Sequence, residues 1–380
     1  MQTATSAWIA TLDDPAPSCT TPFISKLNRA YVTYGTLVLL PASAYDELER
    51  SGLDIETLQT ALNSLYKLIS HHLKLTHIAL TRPIPPQRTI PNRPDNSPLQ
   101  EENTLRAPAN FTPLHGDFGP STASSPPTLQ DFSLAFWTTA KQNSIYQTWS
   151  PRWTMFSRGN ISEKARLLTL ESVVRAVEEG AVTGRGCAAV DLYVGIGYFG
   201  FSYLKAGVRR VLGWDLNGWS VEGLVRGAGV NGWGVRKVSS SDGEGLGEAL
   251  GSEARLLVFQ EDNVKAGERV EEARAELPPI RHVNCGLLPT SRGSWETAVR
   301  VLDAGLGGWI HVHENFAISE IESKAEEVRQ DIQRLAAQRA GYELPARAVR
   351  VEHINKLKSY APGVIHCVLD IAVPPLITGP

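Results

Sequence analysis

The sequence predicts an α/β protein: a doubly wound, mostly parallel sheet closed by an antiparallel C-terminal hairpin, with a smaller α+β region at the N-terminus. Three observations carry this. The last 200 residues alternate short apolar runs (CAAVDLYV, RRVLGWDL, ARLLVFQE, IRHVNCGLL and GWIHVHEN) with stretches of helical spacing. The first run ends at Asp191 and opens into a glycine-rich turn, VGIGYFG. Near the C-terminus HINKLKSY and IHCVLDIAV are separated only by a turn containing Pro362 and Gly363. So short a connection forces antiparallel pairing, because a parallel crossover needs a dozen or more residues.

The whole chain sets the outer limits. Its 380 residues allow two domains. A net charge of −3 excludes a broadly basic nucleic-acid coat but leaves room for a local basic patch. Cys19, Cys187, Cys285 and Cys367 form no C-x-x-C pair, which argues against a zinc site and a disulfide framework, so no metal is expected. The opening MQTATSAWIATLDDP lacks a charged region followed by an apolar core, and no apolar run approaches a bilayer span. A cytoplasmic setting without a membrane partner is the expectation.

Along the chain, residues 1–81 form the small α+β region. YVTYGTLVLLP is a strand ended by proline, and Leu58, Leu62, Leu65 and Ile69 make a helical stripe running to about His72. Residues 82–130 are rich in proline (TRPIPPQRTIPNRPDNSP, GPSTASSPP) and predict a linker or mobile loop. Within it PLHGDFGP stands out, since His115, Asp117 and Phe118 are not linker residues. Residues 131–180 bring seven aromatics, from Phe132 to Phe156, expected mostly as core. A helix follows, opened by Ser162 and closed by Gly180. The stretch from Lys141 to Arg175 is basic, and either a solvated helix face or a phosphate-facing patch fits it. Residues 181–380 form the nucleotide-binding domain.

Gly195, Gly197 and Gly200 spell G-x-G-x-x-G, which alone suits NAD, FAD or S-adenosylmethionine (SAM). Asp191, four residues ahead of Gly195, favours SAM, whose amino acid moiety is cationic. The closing antiparallel hairpin decides the matter, since an NAD fold would end on further parallel strands. Gly200 then serves a close helix–strand contact. Asp215, at the tip of the second strand, suits a pair of ribose hydroxyls or a helix cap. Asp262 and Asn263 suit either the adenine amine or a polar loop. His311 and His313 share one face of their strand, and packing or substrate contact fits them better than a metal.

The motifs MFSRGNISEKAR, DLYVGIGYF, WDLN, EDN, NCGLLPTS followed by Trp295, and GWIHVHEN occur in this order. From about Leu114 onward the chain resembles the tRNA wybutosine-synthesising aminocarboxypropyltransferases, relatives of the tRNA guanine-37 N1-methyltransferases. HGDFGP and AFWTTAKQNSIYQTWSPRWTMFSRGN resemble the aminocarboxypropyl branch in particular. The resemblance implies transfer of the 3-amino-3-carboxypropyl group of SAM to C7 of 4-demethylwyosine at position 37 of tRNA(Phe), with release of methylthioadenosine. It also implies that Ser157 and Lys164 contact the donor, Asp215 its ribose, and Asp262 with Asn263 its adenine. Asp191, Gly195 and Gly197 would shape the pocket. Arg152, Arg158, Arg166 and Arg175 would face tRNA phosphates near the anticodon, and an aromatic near Trp149 or Trp153 would stack the extruded base. Asn284 and His313 are further substrate candidates.

The chain departs from the family in three places. Its second-strand acid is Asp215, followed by Gly218, where the family commonly has a Glu-Trp-Asn-Pro run. Its Asp262 follows FQE rather than a glycine. Where the methyltransferases have Asn-Leu-Pro it carries Asn284-Cys285-Gly286, which favours the aminocarboxypropyl branch. A guanine-37 N1-methyltransferase and a non-catalytic tRNA binder with a vestigial SAM pocket are the competing readings.

Overall fold

The computed structural model describes residues 1–12, 20–49, 55–81, 87–90, 99–103, 105–108, 111–238 and 246–376. The chain divides into two compact units. One holds residues 1–140 and 148–156, the other residues 141–147 and 157–380.

In the first unit, helices α1 (Gln2–Ile9) and α2 (Thr20–Ala30) precede strands β1 (Val32–Tyr34) and β2 (Leu37–Pro41). Helices α3 (Ala42–Glu49) and α4 (Ile55–Leu73) and strand β3 (His77–Thr81) follow. The predicted stripe on α4 faces inward: Leu62, Leu65 and Ile69 are buried with Phe23, Leu27 and Leu40. Strands β4 (Gln87–Ile90) and β5 (Leu99–Glu102) pair with each other. Strand β6 (Thr112–His115) adds to a sheet of order β1-β2-β3-β6. Part of the segment read as a linker is therefore ordered, and residues 82–86 and 91–98 of it lie outside the described residues. The reason lies in HGDFGP: Phe118 is buried against Leu37 and Ala79, and His77 Nε2 lies 2.8 Å from the Asp117 carbonyl.

After α5 (Leu129–Leu134) the chain forms a hairpin of β7 (Thr138–Gln142) and β8 (Ile145–Trp149). Its two-residue turn, Asn143-Ser144, has φ of +52° and +58°, the twist a tight hairpin requires. Trp149 is buried, stacked on Phe156 at 4.5 Å and edge-on to Tyr34. It is a core residue with no face left to stack a base.

The second unit begins with α6 (Ile161–Leu167) and α7 (Glu171–Thr183). The sequence predicts one helix here, closed by Gly180; the structure has two, and the left-handed residue that ends α7 is Gly184. Gly180 is an interior residue for a different reason. A Cβ there would lie 2.4 Å from the backbone of Gly186.

The remaining elements alternate: β9 (Ala188–Asp191), α8 (Gly200–Ala206), β10 (Arg210–Trp214), α9 (Gly218–Val230), β11 (Val235–Val238), α10 (Leu246–Leu250) and β12 (Leu256–Phe259). Then come α11 (Ala266–Glu272), β13 (Ile280–Cys285), α12 (Trp295–Val301), β14 (Gly308–Ala317), α13 (Ile321–Ala340), β15 (Arg350–Ala361) and β16 (Val364–Val373). They form one eight-stranded sheet of order β11-β12-β10-β9-β13-β14-β16-β15. Pairing is parallel from β11 to β14, and β16 then runs antiparallel to both β14 and β15. Runs such as Leu256–Phe259 are buried along their whole length because helices cover both faces. All five strands read from the sequence and the closing hairpin are present; β11 (VRKV) was not among them, being polar and set among glycines.

Ile310, fully buried near the start of β14, belongs to the larger core cluster. Ile310→Ala is expected to lower stability to urea by about 2–5 kcal/mol. A loss below about 1 kcal/mol would mean the strand is not packed as described.

Candidate active site

The strand order reverses between β9 and β13: from β9 the chain first builds toward β10, then returns to add β13 on the other side. In an open parallel sheet this switch leaves a crevice beyond the carboxyl ends of the strands, where ligands bind. Asp191, the turn at Gly195 and Gly197, Asp215, Asp262 and Asn263 all lie at or just past the carboxyl ends of β9, β10 and β12.

Asp191 is the last residue of β9 and is fully buried. Its carboxylate accepts from the Tyr193 amide at 3.3 Å, the Gly200 amide at 3.2 Å and Asn284 Nδ2 at 3.1 Å. Burial pushes its carboxyl up to about 7, and these donors act in the opposite direction. Asp191 thus supports the turn from beneath. Above it Gly197 takes φ of +89°, and a Cβ there would lie 2.6 Å from the Phe201 ring. Gly200, at the start of α8, packs closest to the turn: a Cβ would stand 3.2 Å from Val194, against 3.7 Å from Val211 of β10, so the expected helix–strand contact is an ordinary one.

Asp215 follows β10 and is half-buried. It accepts from the Gly195 amide at 2.9 Å and the Asn217 amide at 2.8 Å, while burial raises its carboxyl to about 6. A carboxylate offers about four lone-pair directions, so two amides leave capacity for a ligand diol. The helix cap that the sequence also allowed at Asp215 belongs instead to Asn217, which accepts from the Trp219 amide at 3.0 Å. After β12, exposed Asp262 caps a short 3-10 turn through the Val264 amide at 3.0 Å. Asn263 Nδ2 donates to the Leu192 carbonyl at 2.8 Å, so this loop is tied to the end of β9.

Lys164 on α6 is only 3% exposed. Its ammonium donates to Gln142 Oε1 at 2.5 Å, Gln147 Oε1 at 3.0 Å and the Ser157 carbonyl at 3.4 Å, and lies 5.5 Å from the Tyr198 ring centre. The Ser157 amide donates to the Tyr198 hydroxyl at 3.2 Å. Tyr198 belongs to the glycine turn, so Ser157 and Lys164 meet that turn. Burial draws the Lys164 amine down to about 7.

The four arginines part company. Arg158 and Arg175 are exposed, with the Arg175 guanidinium 4.7 Å over the Trp309 ring. Arg152 belongs to the first unit, over Phe111 at 5.2 Å. Arg166 is committed inside the fold and is not presented to a phosphate. It donates to Glu163 at 2.6 and 2.9 Å and to Asp370 at 2.5 and 2.9 Å.

Sequence reasoning missed two histidines. His282 on β13 and His366 on β16 are buried beside His311 and His313. His311 Nδ1 lies 2.7 Å from Asp370, His311 Nε2 lies 3.0 Å from His282 Nδ1, and His282 Nε2 lies 3.2 Å from the Ser172 carbonyl. A carbonyl only accepts, so His282 Nε2 donates to it and His282 Nδ1 accepts from His311. His311 Nε2 is then the donor to His282, while Asp370 faces both His311 Nδ1 and Arg166. Alternation in IRHVN against WIHVHEN was the available signal, but strand pairing alone reveals which histidines meet. Among the described residues no group of three His, Cys, Asp or Glu side chains could hold a metal ion, and no helix is long and apolar enough to cross a membrane.

A parallel sheet closed by an antiparallel hairpin, with a glycine turn after β9 and an acid after β10, is the class I SAM-dependent transferase fold. The chain belongs to the tRNA wybutosine-synthesizing protein 2 family. It is 35% identical over 348 residues to the Schizosaccharomyces pombe protein of that name, covering 90% of this chain and 72% of the relative. It is 32% identical over 309 residues to the Saccharomyces cerevisiae protein, covering 76% of this chain and 61% of that one. Among solved structures, Pyrococcus horikoshii TYW2 in complex with MeSAdo superposes with a TM-score of 0.57 at 16% identity, covering 98% of both chains. A complex of aTrm5 and tRNALeu gives 0.51 at 15% identity, over 92% of this chain and 73% of that one. No family model matches the chain.

Between a folded-state value of about 7 and the usual lysine range, the buried Lys164 amine binds fewer protons in the folded than in the unfolded chain. Stability therefore rises with pH across that window. Measured against Lys164→Met, which carries no titrating proton, the unaltered protein is expected to gain stability steadily from about pH 7 to about pH 10. A difference that stays flat over this range would contradict a lysine whose charged form burial disfavours.

Proposed function

We propose that this chain transfers the 3-amino-3-carboxypropyl group of SAM to C7 of 4-demethylwyosine at position 37 of tRNA(Phe) and releases methylthioadenosine. The observation that carries the reading is the 35% identity to the S. pombe wybutosine-synthesizing protein over 90% of the chain. Asn284-Cys285-Gly286, in place of Asn-Leu-Pro, favours this branch over a guanine-37 N1-methyltransferase.

The donor set fits SAM. Asp215, fixed by two backbone amides, holds the ribose hydroxyls through charge-assisted bonds. Gly195 and Gly197 take positive φ and bring no Cβ of their own to the turn that the nucleoside approaches. Asp262 and Asn263 sit after β12 at the adenine edge, and Ser157 with Lys164 bounds the amino acid end. Asp191 acts from below the turn and needs no contact of its own. SAM supplies an electrophilic carbon on a sulfonium, and no covalent enzyme intermediate is required. The sulfur bears three carbons, and the one that reacts is the one held in line with the nucleophile at about 3–3.5 Å. The protein's task is to turn the aminocarboxypropyl carbon, not the methyl, toward C7.

The tRNA is read as meeting exposed Arg158 and Arg175 near its anticodon, since phosphate contacts hold register while the base enters the crevice. A cytoplasmic setting belongs to the same reading. It is supported by Cys187, Cys285 and Cys367, which are free thiols of the kind a reducing compartment preserves.

Incubation with SAM and tRNA bearing 4-demethylwyosine, followed by mass spectrometry of the small-molecule product, tests the reading. Methylthioadenosine formed only with that tRNA is the expected result. S-adenosylhomocysteine would mean that the methyl group moves instead, and binding without either product would mean a non-catalytic tRNA protein.

A further inference from the structure

Midway along β14, just past the last residue it pairs with β13, the fold buries an imidazole pair whose outer nitrogens are unused. His313 Nδ1 lies 3.0 Å from His366 Nε2, and the residues are 1% and 0% exposed. His313 Nε2 and His366 Nδ1 are both buried without a hydrogen-bond partner. A buried polar atom left unsatisfied is destabilising, and native folds keep few of them without a use. Here two such atoms stand at opposite ends of one hydrogen-bonded pair.

The pair adjoins the crevice already described. Phe199, from the glycine turn, packs on His313 with ring centres 5.0 Å apart. The same phenyl ring comes within 3.5 Å of the Cβ position of Gly286, just past β13, where Asn284 Oδ1 is also buried and unpartnered.

The proposed transfer leaves one proton to be removed. As the C7–carbon bond forms, the carbon–sulfur bond breaks and its electron pair neutralises the sulfonium. C7 then bears both the new carbon and its hydrogen in a cationic ring, and the C–H electron pair returns to the ring when that proton leaves. We infer that His313 Nε2 accepts this proton and that His366 relays it, an inference that rests on aminocarboxypropyl transfer being the reaction. In the resting pair His313 Nδ1–H donates to His366 Nε2. Arrival of a proton at Nε2 sends the Nδ1 proton across to His366 Nε2, where burial opposes the charge most, His313 and Lys358 oppose it further and Glu163 favours it. Burial holds both rings at about 3, so the accepting lone pair is available at neutral pH. A weak base suffices, because the cationic adduct is a strong carbon acid.

His313→Asn separates base from scaffold: its amide keeps a bond to His366 but places nothing at Nε2. In the full chain, His313→Asn and His313→Ala are expected to bind SAM within about threefold of the unaltered protein by calorimetry. Both are expected to form the alkylated base about 100-fold more slowly in a single turnover, with imidazole restoring the alanine variant. In the ligand-free protein labelled with 15N-histidine, His313 is expected as the Nδ1–H tautomer. An asparagine variant as fast as the unaltered protein overturns the relay, as does loss of its SAM binding or an Nε2–H tautomer at His313. If the unaltered protein releases no methylthioadenosine under the same conditions, the transfer reading itself falls; if it does while the asparagine variant keeps pace, only the relay falls.

Discussion

The buried carboxylate of Asp191 ties together the end of β9, the Tyr193 amide, the first residue of α8 and, through Asn284, the end of β13. These pieces flank the point where the sheet reverses its order, so their relative placement sets the crevice. An acid so deeply buried is unfavourable unless its oxygens are satisfied, and three N–H donors supply that. The turn they hold carries Gly195, whose amide orients Asp215, and Tyr198, whose hydroxyl receives the Ser157 amide. Asp215 after β10 and Ser157 in the segment before α6 are thus positioned through one anchor.

A second buried cluster fixes the opposite side. Arg166 bridges Glu163 and Asp370, Asp370 meets His311, and Asn355 on β15 donates to Glu163 at 2.5 Å. Ion pairs of this kind add little net stability over apolar packing. Their effect is placement: they lock α6 onto β14, β15 and β16, and α6 carries Lys164. The closing antiparallel hairpin therefore does more than complete the sheet, since Asp370 and His366 both project from β16 into polar networks beside the site.

The frame was legible in the sequence because buried parallel strands are continuous apolar runs and because the Pro362-Gly363 turn admits only one pairing. The spacing of Asp191, Gly195 and Asp215 likewise pointed to the glycine turn after β9 and the acid after β10, which the structure joins by hydrogen bonds. What pattern could not supply was the partner of each side chain. Arg166 and Arg175 look alike as sequence, yet one faces two carboxylates inside the fold and the other lies exposed over Trp309. His282 and His366 acquire meaning only when strand register brings them to His311 and His313. Gly180 looked like a helix stop, and became a packing residue once the chain after α7 returned to within contact distance of it.

The most direct test of this account is the affinity for SAM of the unaltered chain and of Asp215→Ala, measured by calorimetry with thermal unfolding as a check on folding. The account predicts one site in the unaltered protein and a loss of at least about tenfold in the variant, since each charge-assisted hydrogen bond contributes about 1.5–3 kcal/mol and 1.4 kcal/mol is tenfold in affinity. Equal affinity in a folded variant, or no binding by the unaltered chain, would contradict a SAM pocket built at the switch between β9 and β13.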